Sequence, residues 1–237
     1  SPEMTGMVQK SREGLFRSVK TQADTPVFQA AERLANALDI VIHVGSCAVL
    51  RQDGKIANRA AVFQKGDLKP AIYDKIHMFD AKVSDTESWR ESAIYEPGEE
   101  AVVVSVDREL KLGLSICYDL RFPALYRAYG EAGCHMLSAP AAFTVPTGRA
   151  HWDALIRARA IETGSYMICA AQGGTHADGR TTYGHSMIVD PWGSAITLDH
   201  DVPDILYGQI DLARVEDARQ RIPTLINARD FVMSSKP

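Results

Sequence analysis

The stretch Gly113–Tyr126, GLSICYDLRFPALY, ends an apolar run with Cys117, then continues as a polar turn and a helical pattern. A cysteine where a strand gives way to a helix lies near backbone N–H groups that favour negative charge. That placement predicts a lowered thiol pKa and a sulfur lifted at the edge of a sheet, as a nucleophile elbow lifts serine. The competing reading is a core thiol, because cysteine is among the most buried residue types. A nucleophile also needs a proton acceptor and a group that holds an oxyanion. No spacing pairs a particular histidine with Cys117. A carboxylate can act as base where its surroundings tune its pKa, and a lysine can hold developing negative charge. Lys75 in YDKIHMFD lies within a largely apolar run, and Glu3 in SPEMTG stands where a strand would end. Taken singly, a strand lysine facing water and a solvated carboxylate are equally open readings of these two residues.

The chain that must position these groups has 237 residues, enough for one large α/β domain or two small ones. Its net charge of -4 gives no global pull toward nucleic acid or an anionic membrane. Apolar runs such as AVVVSV are too short to span a bilayer, and no secretory leader pattern is visible. Cys47, Cys117, Cys134 and Cys169 form no CxxC pair and no disulfide framework, so reduced thiols in the cytoplasm are expected. The histidines show no metal-ligand spacing such as HExxH, so no metal is expected.

Residues 25–40 predict an amphipathic helix capped by Thr25 with Pro26 in its first turn, and residues 40–50 predict a buried strand. Asp53-Gly54 predicts a hairpin turn, and a strand should run into Lys75. Residues 101–117 read as two strands joined by a turn at residues 107–109, and residues 134–143 as a strand leading into a loop. The clearest helix spans 147–164, capped by Thr147 and ended by Gly164. Residues 165–172 read as a strand, and residues 181–198 as a strand, a Pro-Trp-Gly turn and a second strand. No linker or repeat interrupts the pattern, which predicts one α/β domain over residues 1–237. SPEMTG reads as the end of an element, so a strand and a helix are expected ahead of Ser1.

The motifs PEMTG, YDKIHMFD, GLSICYDLRFP, AFTVPTGRAHWDALIRARAIETGSYMICAAQ and YGHSMIVDPWG occur in one order along almost the whole chain. In this the sequence resembles the nitrilase superfamily of carbon–nitrogen hydrolases. The resemblance implies a four-layer αββα sandwich, a homodimer or higher homo-oligomer, and no cofactor. It implies a Glu-Lys-Cys triad at Glu3, Lys75 and Cys117, with Glu91 as a second glutamate. Glu3 would accept the thiol proton, and Lys75 and the Tyr118 N–H would hold the oxyanion of an amide under attack. A thioester would follow, hydrolysed by water that Glu3 or Glu91 activates.

Arg121, Arg149 and Arg157 are candidates to meet a substrate carboxylate, because guanidinium pairs with carboxylate bidentately. Arg121 could instead brace the turn by pairing with Asp119, and the helix arginines could serve an interface. Phe143 and Thr144 follow a strand, and the resemblance implies that their loop borders the pocket. His151 and Trp152 read as interface or core, and His185 as a structural hydrogen-bonded histidine. Ala124 stands where many relatives carry glutamate, a local departure. The C-terminal half looks most like the branch acting on deaminated glutathione. The expected reaction turns a small carboxylated amide into acid plus ammonia. An ω-amidase on α-ketoglutaramate is the alternative, and a non-catalytic scaffold the reading from another class. A cysteine protease would need a histidine partner that nothing local supplies.

Overall fold

A computed structural model describes residues 1–9, 12–85, 87–106, 110–199 and 202–235. The turn expected at residues 107–109 lies outside the described residues.

The first half builds one sheet and the helix that covers it. Helix α1 (Arg12–Ser18) and strand β1 (Lys20–Thr21) lead into α2 (Pro26–Leu38), β2 (Ile42–Leu50), β3 (Ile56–Phe63) and β4 (Ala71–Asp74). The strands lie in the order β1-β2-β3-β4. The β2–β3 hairpin turns where the Asp53-Gly54 signal predicts, with Gly54 at φ 79°, a conformation glycine adopts without strain. Pro26 opens α2 as expected, but the Thr25 side chain does not cap it. Its hydroxyl donates to the Thr21 carbonyl instead.

A small ribbon of β5 (Asp80–Lys82) and β6 (Ser88–Arg90) runs into a 3-10 turn at Glu91–Ala93. The second sheet follows: β7 (Val103–Ser105), β8 (Lys111–Gly113), then α3 (Pro123–Glu131), β9 (Met136–Ser138), α4 (Val145–Thr163) and β10 (Tyr166–Cys169). A two-stranded ribbon, β11 (Gly173–Thr175) with β12 (Thr181–Tyr183), precedes β13 (Met187–Val189), β14 (Ala195–Thr197) and α5 (Leu212–Arg221). The second sheet has the order β14-β13-β10-β9-β8-β7. The first strand expected in residues 181–198 is therefore split, because Gly184 and His185 take positive φ and redirect the chain from ribbon to sheet. Helix α4 begins two residues earlier than expected. Thr144, not Thr147, is its N-cap, accepting a hydrogen bond from the Thr147 amide. Gly164 closes it in the left-handed conformation, as predicted.

Alternation along β3 explains the layering. Ala61 and Phe63 face outward and pack with Phe28, Ala31 and Ala35 of α2. Ala60 and Val62 face inward and join Val104, Leu112 and Leu114 of the second sheet. Leu125, Tyr126 and Tyr129 of α3 and Trp152, Ile156 and Ala160 of α4 join the same core. The result is helix, sheet, sheet, helix: the expected αββα order. Ile156 is fully buried, and truncating it to alanine should cost about 2–5 kcal/mol.

Candidate active site

Glu3, Lys75 and Cys117 come from three different parts of the chain, and the fold brings them together. Glu3 lies in a turn laid against β2. The Ser46 amide donates to the Pro2 carbonyl at 3.3 Å, and the Met4 amide to the Ser46 hydroxyl at 2.9 Å. Gln172 adds a hydrogen bond to the Glu3 carbonyl at 3.0 Å. The approach requires a glycine in β2. A Cβ on Gly45 would lie 2.1 Å from the Ser1 carbonyl oxygen and 2.4 Å from the Pro140 Cβ.

Lys75 follows β4. Its amide donates to the Asn58 carbonyl at 2.9 Å, and its carbonyl accepts from the Gly98 amide at 2.8 Å. The pair Arg59–Asp74, joined by two bonds of 2.6 and 2.7 Å, fixes the register just before it. Cys117 opens a 3-10 turn, Cys117–Arg121, at φ 50°. A non-glycine residue there carries backbone strain, which a folded site must offset. Asp119 offsets it. This fully buried carboxylate accepts from the Ile116 amide at 2.8 Å, the Tyr73 hydroxyl at 2.7 Å, and the His77 amide at 3.0 Å; the His77 ring lies 2.7 Å away. The Cys117 amide donates to the Pro140 carbonyl at 2.9 Å.

In the pocket, Lys75 Nζ lies 3.0 Å from Glu3 Oε1 and 2.9 and 2.8 Å from the two Glu91 oxygens. Asn58 Nδ2 donates to both acids, at 2.9 Å to Glu3 and 3.2 Å to Glu91. The Phe79 amide holds Glu91 Oε2 at 2.6 Å. The Glu3 carboxylate is a hydrogen-bond partner of the Cys117 thiol, and the Ala142 N–H donates to the sulfur. Burial opposes charge on all three groups. Burial alone would raise the Glu3 pKa, but Lys75 and the bonds from Cys117 and Asn58 outweigh it and hold the carboxyl low. Burial would lower the Lys75 pKa, yet Glu3 and Glu91 hold the ammonium well above its ordinary value. Burial pushes the Cys117 thiol well up, and the Glu3 charge pushes it further. The lowered thiol expected from the turn is therefore overturned: burial and the Glu3 carboxylate outweigh the Lys75 charge and the Ala142 N–H that lower it. The resting site holds a thiol beside a carboxylate, with an ammonium 3.0 Å from that carboxylate. Such a set can pass the thiol proton to Glu3 as the sulfur attacks.

Tyr118 is the second residue of the 3-10 turn, so its N–H has no acceptor within that turn. Its ring lies 5.1 Å from Phe79 and 5.3 Å from Phe122. Arg121 does not pair with Asp119. Its guanidinium lies over the rings of Tyr118 at 5.9 Å and Phe143 at 5.3 Å, and Nη1 is 3.2 Å from His151 Nδ1. Phe143 is buried edge-on against Trp152, with centroids 4.9 Å apart. Thr144 spends its side chain on the cap of α4. Arg157 points away, bonding Asp153 at 2.8 Å and the Gly193 carbonyl. Trp152 donates to the His185 carbonyl at 2.8 Å, and His185 bonds the Tyr183 carbonyl at 2.6 Å, which fits the structural reading of both. Asn58, His77, Gln172 and Tyr95 are site neighbours that the sequence reading missed, and Asp119 was read there only as a possible partner of Arg121. Asn58 had a signal: a polar side chain in the buried strand IANRAAVF needs partners. No group of three or more histidine, cysteine or acidic residues with metal-binding geometry occurs among the described residues.

The family model for carbon-nitrogen hydrolases matches residues 3–220. A protein named deaminated glutathione amidase from Yersinia enterocolitica is 40% identical over 218 residues, which span 90% of this chain and 75% of that protein. Among solved structures, Nit3 of Saccharomyces cerevisiae, a member of branch 10 of the nitrilase superfamily, is 27% identical with a TM-score of 0.82, covering 94% of this chain and 79% of that one. The NitFhit protein of Caenorhabditis elegans is 32% identical with a TM-score of 0.85, covering 96% of this chain and 56% of that one. The motifs, the two-sheet fold and these matches agree: the chain belongs to the carbon-nitrogen hydrolase family, within the nitrilase superfamily.

Proposed function

We propose that the chain works as one carbon-nitrogen hydrolase domain and is a cysteine amidase acting on deaminated glutathione. The observation that carries the mechanism is the thiol of Cys117 and the carboxylate of Glu3 sharing one buried pocket with the Lys75 ammonium. The relatives named for deaminated glutathione support the substrate.

Glu3 takes the thiol proton as Cys117 attacks the amide carbonyl. Lys75 and the Tyr118 N–H hold the oxyanion. Glu3 returns its proton to the departing nitrogen, leaving a thioester on Cys117. Water, activated by Glu3 or Glu91, then releases the acid. Lys75 bridges both carboxylates, so the two acids keep a fixed separation through the cycle. Deaminated glutathione contains only amides within its backbone, so the group that leaves it is an amine; ammonia leaves from a primary amide such as α-ketoglutaramate. Arg121, at the lip over Tyr118 and Phe143, offers a cation to a carboxylate on the acyl side.

The exposed tail residues Phe231 and Val232, 83% and 94% exposed, support a homo-oligomer, because apolar surface of this kind gains by pairing. The unpaired cysteines support a cytoplasmic setting. No helix among the described residues is long and apolar enough to cross a membrane.

The test is turnover of deaminated glutathione and α-ketoglutaramate side by side, with Cys117→Ala as control. Keto-acid release from the first, lost in the variant, is expected. Preference for α-ketoglutaramate would make the chain an ω-amidase. Turnover that survives Cys117→Ala would overturn the mechanism.

A further inference from the structure

One cation near the pocket has no use in the reaction described above. Arg180 precedes β12, in the turn between the two strands of the β11–β12 ribbon. Its backbone is well tied: its amide donates to Asp178 Oδ1 at 3.0 Å, and its carbonyl accepts from the His176 amide at 2.8 Å. Its side chain is not. The guanidinium carbon lies 5.2 Å from the centre of the Trp89 ring, and Nε is buried without an acceptor. No carboxylate lies within ion-pair distance of it among the described residues. Other arginines with buried or half-buried side chains are satisfied. Arg59 has Asp74, Arg159 has Glu162 and the Leu120 carbonyl, and Arg219 has the Cys134 and Thr163 carbonyls. A guanidinium offers five donors in a fixed fork, and a buried donor left without a partner is unfavourable. The contact with the Trp89 ring face uses none of the N–H donors of that fork, which are left for a planar anion.

The position is beside the reacting groups. Trp89 stands two residues before Glu91, and its ring lies 6.5 Å from that of Phe79, whose amide holds Glu91. Tyr95 faces the charges of Glu91, Glu3, Lys75 and Arg180 together, and among the described residues its hydroxyl meets only the Met4 sulfur, at 3.9 Å. The acids nearby leave the guanidinium unpaired. Glu87 accepts from the Trp89 indole at 2.9 Å, and Glu91 is bound to Lys75. Asp178 holds the Arg180 amide through Oδ1, and its buried Oδ2 has no partner among the described residues and makes no ion pair with the Arg180 guanidinium. Burial and the Arg180 charge keep His176 below its ordinary pKa, so it adds no second cation.

Glu3 must reach the departing nitrogen to protonate it, so the amine half of the substrate lies toward Glu3, Met4 and Tyr95. Arg121 lies with Tyr118 and Phe143, at the other lip. We propose that Arg180, laid over Trp89, binds a carboxylate carried on the leaving amine, so that the pocket selects amides with an acid on the amine side. The proposal rests on the amidase reading and adds the residue that sets the leaving-group preference.

The test separates the two. Binding of deaminated glutathione and of its glycine methyl ester is measured by calorimetry on the Cys117→Ala protein, with Arg180 intact, as Arg180→Leu and as Arg180→Lys. With Arg180 intact, the free acid should bind about 30-fold tighter than the ester, the size of a charge-assisted hydrogen-bonded pair. Arg180→Leu should collapse that ratio to near 1, and Arg180→Lys should restore part of it. Equal binding of acid and ester with Arg180 intact, or the same ratio in all three proteins, overturns the proposal. A loss of affinity for acid and ester by the same factor in Arg180→Leu also overturns it, since that is what a merely structural role would give. Turnover in the protein with Cys117 intact is read separately and bears only on the amidase reading.

Discussion

Cys117 follows β8 and Cys169 ends β10, both beside the second sheet's core, and both are buried, at 8% and 1% exposure. Burial is the largest cause of a raised thiol pKa at each. Each sulfur accepts a backbone N–H, from Ala142 and from Ala139. The difference lies in what surrounds them. Cys169 ends a regular strand paired with Met187, and no charged group perturbs it. Cys117 sits on a strained 3-10 turn and faces a carboxylate and an ammonium. Burial therefore keeps both thiols protonated, and only the thiol with a proton acceptor in contact can shed its proton during attack. In the proposed reaction, placement at a turn does not by itself activate the cysteine; a proton acceptor in contact with the thiol does.

The sharpest break of this comparison is a pair of variants. Cys117→Ala should lower kcat/KM for amide hydrolysis by about 10⁴-fold or more, whereas Cys169→Ala should change it by no more than about 3-fold and cost about 1–2 kcal/mol of stability. Equal losses in steady-state assays, with both proteins folded by circular dichroism, would erase the distinction. Lys75→Met comes next. It removes the proposed oxyanion donor, worth about 10²–10³ in kcat, and leaves Glu3 and Glu91 without their shared cation, which should cost about 3–5 kcal/mol in urea unfolding.

The pH profile sharpens the comparison further. Glu3 is held low and the Cys117 thiol high, so carboxylate and thiol coexist across the neutral range. Activity should fall only when pH drops below the ordinary carboxylate value of 4.5 and Glu3 takes a proton. Iodoacetamide should label Cys117 slowly at neutral pH, with the rate rising only above the ordinary thiol value of 9.0. Rapid labelling at pH 7 would mean a standing thiolate and would remove the need for Glu3 as base. Glu91→Gln should lower kcat by about 10–100-fold, less than Lys75→Met, because Glu91 touches the cation rather than the thiol. The smallest effect is Thr144→Ala, about 1 kcal/mol of stability from the lost cap of α4, read as a lower Tm.

The residues to which the chemistry is assigned were legible as candidates because motif order is a property of the chain. Glu3, Lys75 and Cys117 each follow a strand-like run or turn, and the β2–β3 hairpin and the end of α4 were marked by Gly54 and Gly164. The start of α4 was misplaced because TVPT offers two threonines. Pro146 suits the first helical turn whichever threonine caps it, and only the hydrogen bond from the Thr147 amide singles out Thr144. Arg121 was weighed against Asp119 as a neighbour in sequence, yet the carboxylate is taken by Tyr73, His77 and Ile116, two of them more than 40 residues away in the chain. Arg180 was hidden in HADGR, a run that reads as an ordinary polar turn.

The sequence by itself determined which candidate reactive side chains are present, the main strands and helices around them, and the family to which the chain belongs. It could not determine protonation. That Cys117 rests as a thiol, that Glu3 rests as a carboxylate, and that Lys75 joins two acids depends on burial and on distances of about 3 Å between segments far apart in the chain. Desolvation and Coulomb attraction act through space and grow as water is excluded, so only the packing of one sheet on the other decides them.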